Sequence, residues 1–266
     1  MKPKVAKRNH VRVYGTGPEA MLFAHGFGCD QTMWRHVAPA FADRYRVVLF
    51  DHVGAGNSDL GAWSAAKYAT LEGYAADVVE ICRELGLSGS VFVGHSVSAM
   101  IGVLAAKRAP GLFSRMVMVG PSPCYINDGE YKGGFDRKDI EEMLGFLDSN
   151  YLGWSAMMAP MIMGRPDRPE FGEELTNSFC RTDPEIARQF GRVTFLSDCR
   201  ADLEGMRVPS LLLQCSEDVV APLAVGEYLH ARLPESTLVV LRATGHCPQL
   251  SAPEEVIAAM KAYLAV

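Results

Sequence analysis

Short apolar runs alternate with stretches where apolar positions recur every three or four residues. Residues 20–25 (AMLFAH) form a run stopped by Gly26. Residues 45–51 form another, ending in a turn that carries Gly54 and Gly56. Between residues 70 and 85, Leu71, Tyr74, Ala75, Val78, Val79, Cys82 and Leu85 fall at helical spacing, and Gly86 closes the stretch. Runs at 90–94 and 115–120 predict two more strands, with a helix between them that ends before Pro110. Further strands are expected at 210–215 and 236–241, and helices at 222–233 and 253–264. Apolar strands separated by helices predict a mostly parallel sheet covered on both faces.

The rhythm breaks at residues 124–198, where no strand pattern is present. Helices are expected there at 136–147, 151–164, 169–180 and 184–197. The economical architecture is one α/β domain over residues 1–266. Its sheet core is 1–123 and 199–266, with a helical lid inserted at 124–198. The lid is not expected to fold alone, so the chain counts as one domain.

Composition narrows the class. With 48% hydrophobic and 21% charged residues the chain is not disordered, and 25 Gly and 15 Pro are too few for a collagen-like one. A net charge of −5 argues against general nucleic-acid binding. No apolar window approaches the ~18 residues of a membrane span. The basic start is not followed by the apolar stretch of a signal peptide, so a cytoplasmic protein is expected. The seven cysteines, Cys29, Cys82, Cys124, Cys180, Cys199, Cys215 and Cys247, are odd in number and scattered. That pattern predicts reduced thiols and neither a zinc site nor a disulfide framework. No metal and no cofactor are expected.

Candidate chemistry begins at Gly94-His95-Ser96-Val97-Ser98, between a predicted strand and its helix. This is the context of a nucleophile elbow, a sharp turn that exposes a serine hydroxyl at the top of a sheet. The last position is Ser98 where the general motif has glycine, but serine is still small. A glycine at a strand end followed by a helix-capping serine would read the same way. The partners decide between them. A serine hydroxyl needs a base to take its proton, and a histidine base needs an orienting acid. Asp218 and His246 follow Ser96 in the order Ser, acid, His, each in a loop past a strand end. They are 28 residues apart, room for one helix and one strand. Glu217 is the rival acid; Asp218 is preferred because it lies one step nearer the following helix. His10, His36 and His230 read as surface residues. His52, in a turn, and His95, beside the serine, read as structural.

His25-Gly26-Phe27-Gly28 follows the first run. Its glycines allow a backbone N–H to approach a developing oxyanion. The expected donors are the N–H groups of Phe27 and Val97, with the Phe27 ring as a pocket wall. Gly54-Ala55-Gly56-Asn57-Ser58 lacks a P-loop lysine and the full dinucleotide fingerprint, and reads as a turn.

With these residues assembled, the chain resembles the α/β-hydrolase family over nearly its whole length. Within it, the chain is most similar to the branch holding the bacterial energy-stress regulator RsbQ and the plant karrikin and strigolactone receptors. The resemblance is carried by His25-Gly-Phe-Gly28, residues 94–102 (GHSVSAMIG), Ser149-Asn-Tyr151 with Trp154, and Cys180-Arg-Thr-Asp-Pro184. Ile186-Ala187, Ser197-Asp198 and Gly245-His-Cys-Pro-Gln-Leu250 add to it. It implies Ser96 as nucleophile, Asp218 as orienting acid, His246 as base, and a V-shaped lid formed by residues 124–198. Ser98 is normal for this branch.

The resemblance also implies that Phe27, Val97, Tyr125, Phe135, Trp154, Met158, Phe195 and Val219 face the cavity. None is charged, which favours a small, mostly apolar ester or lactone and disfavours phosphorylated substrates. Met143, Met157, Met158, Met161 and Met163 put five of the 13 methionines into the lid. They serve as core filler, pocket lining or both. Two functions are expected from this set. One is a cofactor-free serine hydrolase. The other is a signalling protein that binds or slowly hydrolyses a ligand and regulates a phosphatase-like partner. Acyl transfer, C–C hydrolysis and perhydrolysis use the same triad and stay open. Ser96 argues against haloalkane dehalogenase and epoxide hydrolase chemistry, which use an Asp nucleophile.

Overall fold

The structure is a computed structural model describing residues 4–265. Residues 1–3, part of the basic start, and residue 266 lie outside it. Seven strands form one sheet: β1 Arg12–Tyr14, β2 Glu19–Ala24, β3 Tyr45–Leu49, β4 Ser90–His95, β5 Phe113–Val119, β6 Ser210–Glu217 and β7 Ser236–Thr244. The order is β1-β3-β2-β4-β5-β6-β7, and only β1 runs antiparallel, against β3. The sequence pattern misses β1. It is three residues long, and none of them is buried, so it has no apolar run to signal it.

The other six strands lie at the apolar runs: β2 to β6 are buried on both faces over most of their length, whereas β7, at the other edge of the sheet, buries only Leu241. Alternation then sends neighbours to opposite layers. Met21, Phe23, Val91, Val93, Val117 and Val119 enter one core. Leu22, Ala24, Phe92, Met116 and Met118 enter the other.

Helices α1 Leu71–Glu84 and α2 Val97–Arg108 follow β3 and β4. Four helices then intervene between β5 and β6: α3 Arg137–Ser149, α4 Tyr151–Met163, α5 Pro169–Cys180 and α6 Pro184–Phe195. After them come α7 Leu223–Arg232 and α8 Pro253–Leu264. Local chemistry sets these boundaries. Asp136 and Asp139 form a reciprocal capping box at the start of α3. Proline opens α5, α6 and α8, where its missing N–H costs nothing. The Asp183 carboxylate accepts from the Glu185 and Ile186 amides at the start of α6.

The core on one face takes in α8 through Val256 and Met260 and continues into the insertion through Tyr125, Trp154, Phe179 and Phe195. The other core takes in α1, α2 and α7. The two ends of the insertion meet: Cys124 bridges Asp198, and the Cys199 N–H donates to the Pro123 carbonyl at 2.7 Å. No helix among the described residues is long and apolar enough to cross a membrane.

The strand order locates the site before any side chain is considered. β2 lies between β3 and β4, so the chain steps one way after β2 and the other way after β3. Loops leaving the carboxyl ends of β2 and β4 diverge there and open a crevice, the usual ligand position in such sheets. Those loops are His25–Gly28 and the Ser96 turn.

Candidate active site

Ser96 stands between β4 and α2 with φ 57° and ψ −128°. A non-glycine residue there costs about 1–3 kcal/mol, and the packing around it must hold the strain. The Ser96 N–H donates to the Val119 carbonyl of β5 at 2.8 Å. Gly94 must be glycine, because a Cβ would lie 2.7 Å from the Ser98 carbonyl oxygen. Strand and helix therefore cross closely enough to force the turn.

His246 follows β7. Its Nε2 lies 2.7 Å from Ser96 Oγ, and its Nδ1 lies 2.7 Å from Asp218 Oδ2. The other Asp218 oxygen accepts from the Val220 and Ala221 amides at 2.8 and 3.1 Å. The carboxylate is thus fixed from both sides. Ser96, His246 and Asp218 are all buried, whereas Glu217, the rival acid, is exposed.

The insertion helps place His246, whose N–H donates to the Ile162 carbonyl of α4 at 2.7 Å. The neighbouring Gly245 has φ 81°, and a Cβ there would lie 1.9 Å from the Met163 carbonyl oxygen. Only glycine lets the loop rest on the end of α4. From below, His95 Nε2–H donates to the His246 carbonyl at 2.9 Å. Burial pushes the His95 imidazole well below its ordinary pKa, so it is neutral and donates from Nε2 alone.

This arrangement can move a proton from the Ser96 hydroxyl to His246 Nε2 while Asp218 steadies the imidazolium that forms. Val97 opens α2, where first-turn amides have no acceptor inside the helix.

The cavity over Ser96 has a volume of about 30 Å³. That is room for a water but far below the ~300–1,000 Å³ of a typical ligand site. Its walls include Phe27, Tyr125, Phe179, Thr194, Phe195 and Val220. The Phe27 ring closes it, meeting Phe179, Phe190 and Phe195 with centroids 5.6, 5.7 and 6.1 Å apart. Tyr125 Oη is 3.5 Å from Ser96 Oγ, and burial keeps that phenol protonated. A larger cleft of about 670 Å³ opens beside Arg200 and Tyr228, but its lining residues include no serine, cysteine or histidine.

Of the eight residues that the resemblance puts at the cavity, Phe27, Tyr125 and Phe195 are among its lining residues, and the other five stand elsewhere. Val219 is 54% exposed, and Val220 takes its place, because the turn capped by Asp218 swings Val219 outward. Phe135 pairs through its backbone with Tyr125 at the base of the insertion and is only half-buried. Trp154 backs the wall, 5.9 Å from the Phe27 ring and 5.1 Å from that of Phe179. The Val97 side chain is buried in the opposite core, so only its amide is free to face the site. Met158 packs in the core, and none of the insertion's methionines is among the cavity-lining residues. Met157 and Met161 are half exposed instead. Cys29, Ile162, Leu175, Phe179, Thr194 and Cys247, none of them among the residues expected at the cavity, also line it.

The chain belongs to the α/β hydrolase family, whose model matches residues 21–259. The Karrikin insensitive 2 receptor CA of Petunia hybrida is 39% identical over 254 residues, covering 95% of this chain and 94% of the relative. The strigolactone esterase D14 of Arabidopsis thaliana is 40% identical over 247 residues, covering 92% of each. A hydrolase from Oleispira antarctica superposes with a TM-score of 0.95 at 40% identity, over 98% of this chain and 96% of that one. The fold and the family are therefore those of an α/β hydrolase with esterase-named relatives.

Proposed function

We propose that the protein is a serine hydrolase of a small, mostly apolar ester or lactone, and that it needs protein groups alone. Ser96 Oγ attacks the carbonyl carbon as its proton passes to His246 Nε2. The Phe27 and Val97 amides hold the oxyanion. His246 then protonates the leaving oxygen, and water, deprotonated by His246, releases the acyl group. The observation that carries this reading is the unbroken line from Ser96 Oγ through His246 to Asp218, with both contacts at 2.7 Å.

Substrate class follows from the walls. The cavity-lining residues include no lysine, arginine, aspartate or glutamate. An ion entering would lose its hydration with nothing to replace it. The insertion acts as a lid on a single domain, because a cavity of about 30 Å³ admits an ester only when α4–α6 and the Phe27 ring part. Six of the seven cysteines are buried and all are free, which suits a reducing, cytoplasmic compartment.

A substrate panel tests this reading. Neutral short-chain p-nitrophenyl esters and lactones should be turned over. Carboxylated or phosphorylated analogues should lose at least about tenfold in kcat/KM. Equal rates on charged and neutral members would contradict it.

A second reading is favoured by the receptor relatives and the closed cavity. In it, slow turnover or ligand binding changes the lid and regulates a phosphatase-like partner. Capture of a partner only when a lactone is present, with turnover far below the ~10 s⁻¹ of an ordinary enzyme, supports that reading. Ordinary turnover with no ligand-dependent capture contradicts it.

A further inference from the structure

Ser98, the departure from the general elbow motif, is fully buried, and its hydroxyl has two partners. It donates its single proton to the His25 carbonyl. It must therefore accept from His52 Nε2–H, 2.8 Å away. The His52 backbone N–H donates to His25 Nε2 at 3.0 Å. That nitrogen must be bare, so the His25 proton sits on Nδ1, 2.9 Å from the Gly26 carbonyl oxygen. The Gly26 carbonyl and the Phe27 N–H belong to one planar trans peptide and point in opposite directions. Holding the oxygen on one side turns the N–H to the other.

Packing leaves these rings little freedom. The His25 and His52 rings meet edge-on at 4.7 Å, and Phe50, Tyr74 and Phe190 enclose His52. Burial holds His52 neutral, which keeps it a one-proton donor.

We propose that Ser98 and His52 are positioning residues for the oxyanion hole, acting through His25 to fix the Gly26–Phe27 peptide and aim the Phe27 N–H. This rests on the serine-hydrolase reading above. On it, the serine at the end of the elbow ties the nucleophile's turn to the loop that meets the developing charge. The pentapeptide and the His25-Gly-Phe-Gly28 loop are then one device.

The test is the acidity of a captured oxyanion. A short trifluoromethyl ketone, ¹³C-labelled at its carbonyl, forms a hemiketal when Ser96 Oγ bonds to that carbon. The serine proton passes to His246, and the carbonyl oxygen becomes the oxyanion. Carbon NMR across a pH series reads the hemiketal's own pKa. Ser98→Ala, Ser98→Gly and His52→Gln are compared with the parent, keeping the variants that retain its circular dichroism.

A misplaced donor should raise the hemiketal pKa by about one unit and lower kcat on a short ester by roughly tenfold or more. KM should move less than about twofold, as for a contact made mainly in the transition state. A purely structural role would lower Tm but leave the hemiketal pKa and kcat of the folded variants at parent values, and that result overturns the proposal. Ser96→Ala is the control. A parent protein that forms no hemiketal contradicts the hydrolase reading itself, and this proposal with it.

Discussion

Ser96→Ala should lower kcat on a short p-nitrophenyl ester by roughly 10⁶-fold, the scale seen when a serine nucleophile is removed from an intact triad. The loss is in chemistry, not in binding, so KM should barely change. The fold should survive. The side chain is small, and among the described residues its hydroxyl hydrogen-bonds only to His246 Nε2 and, at 3.5 Å, Tyr125. Neither structural constraint on the turn passes through the hydroxyl. Gly94 must still clear the Ser98 carbonyl oxygen, and the residue 96 N–H still donates to Val119. Thermal unfolding should therefore shift by only a few degrees. Parent-like hydrolysis by this variant would remove the central role from Ser96.

Asp218→Asn should cost about 10⁴-fold in kcat while preserving the turn. Its Oδ1 can still accept from the Val220 and Ala221 amides. The change falls on the other atom. Asp218 Oδ2 now accepts from His246 Nδ1–H, leaving Nε2 bare toward Ser96. An asparagine amide placed there donates to Nδ1 instead. The imidazole proton then moves to Nε2 and points at the serine that needs a base. Activity loss with an unchanged Tm would separate this tautomer effect from simple destabilisation. Glu217→Gln should be nearly silent, since that side chain is exposed and outside the line.

How much of this was legible in the sequence varies by physical cause. Parallel strands announce themselves because both faces are buried, so β2 and β4 read as unbroken apolar runs. The edge strand β1 does not, because it is short and unburied. Ser96, Asp218 and His246 were legible because each lies just past a predicted strand end, and chain order alone brings such loops to one edge of the sheet. The cavity wall was harder. Residue 219 or 220 faces inward according to how the Asp218 carboxylate caps its turn, which no spacing rule encodes.

Helix α4 posed a different problem. Its exposed and buried positions are both largely apolar: Leu152, Met157 and Met161 face out while Trp154, Met158 and Ile162 face in. A helix apolar all round gives no stripe from which to choose an inward face. Helix α6 has a clear stripe, with Ile186, Ala187, Phe190 and Thr194 buried, and Phe195, which the family resemblance puts at the cavity, is among its lining residues.

The most direct measurement of the central claim is intact-protein mass spectrometry, with peptide mapping, after a rapid acid quench of the reaction with a slow-deacylating p-nitrophenyl ester. One acyl group should appear per chain, on the peptide containing Ser96, and it should be absent from Ser96→Ala. An acyl group on any other residue, or continued turnover with no acylated species in either protein, would contradict the account.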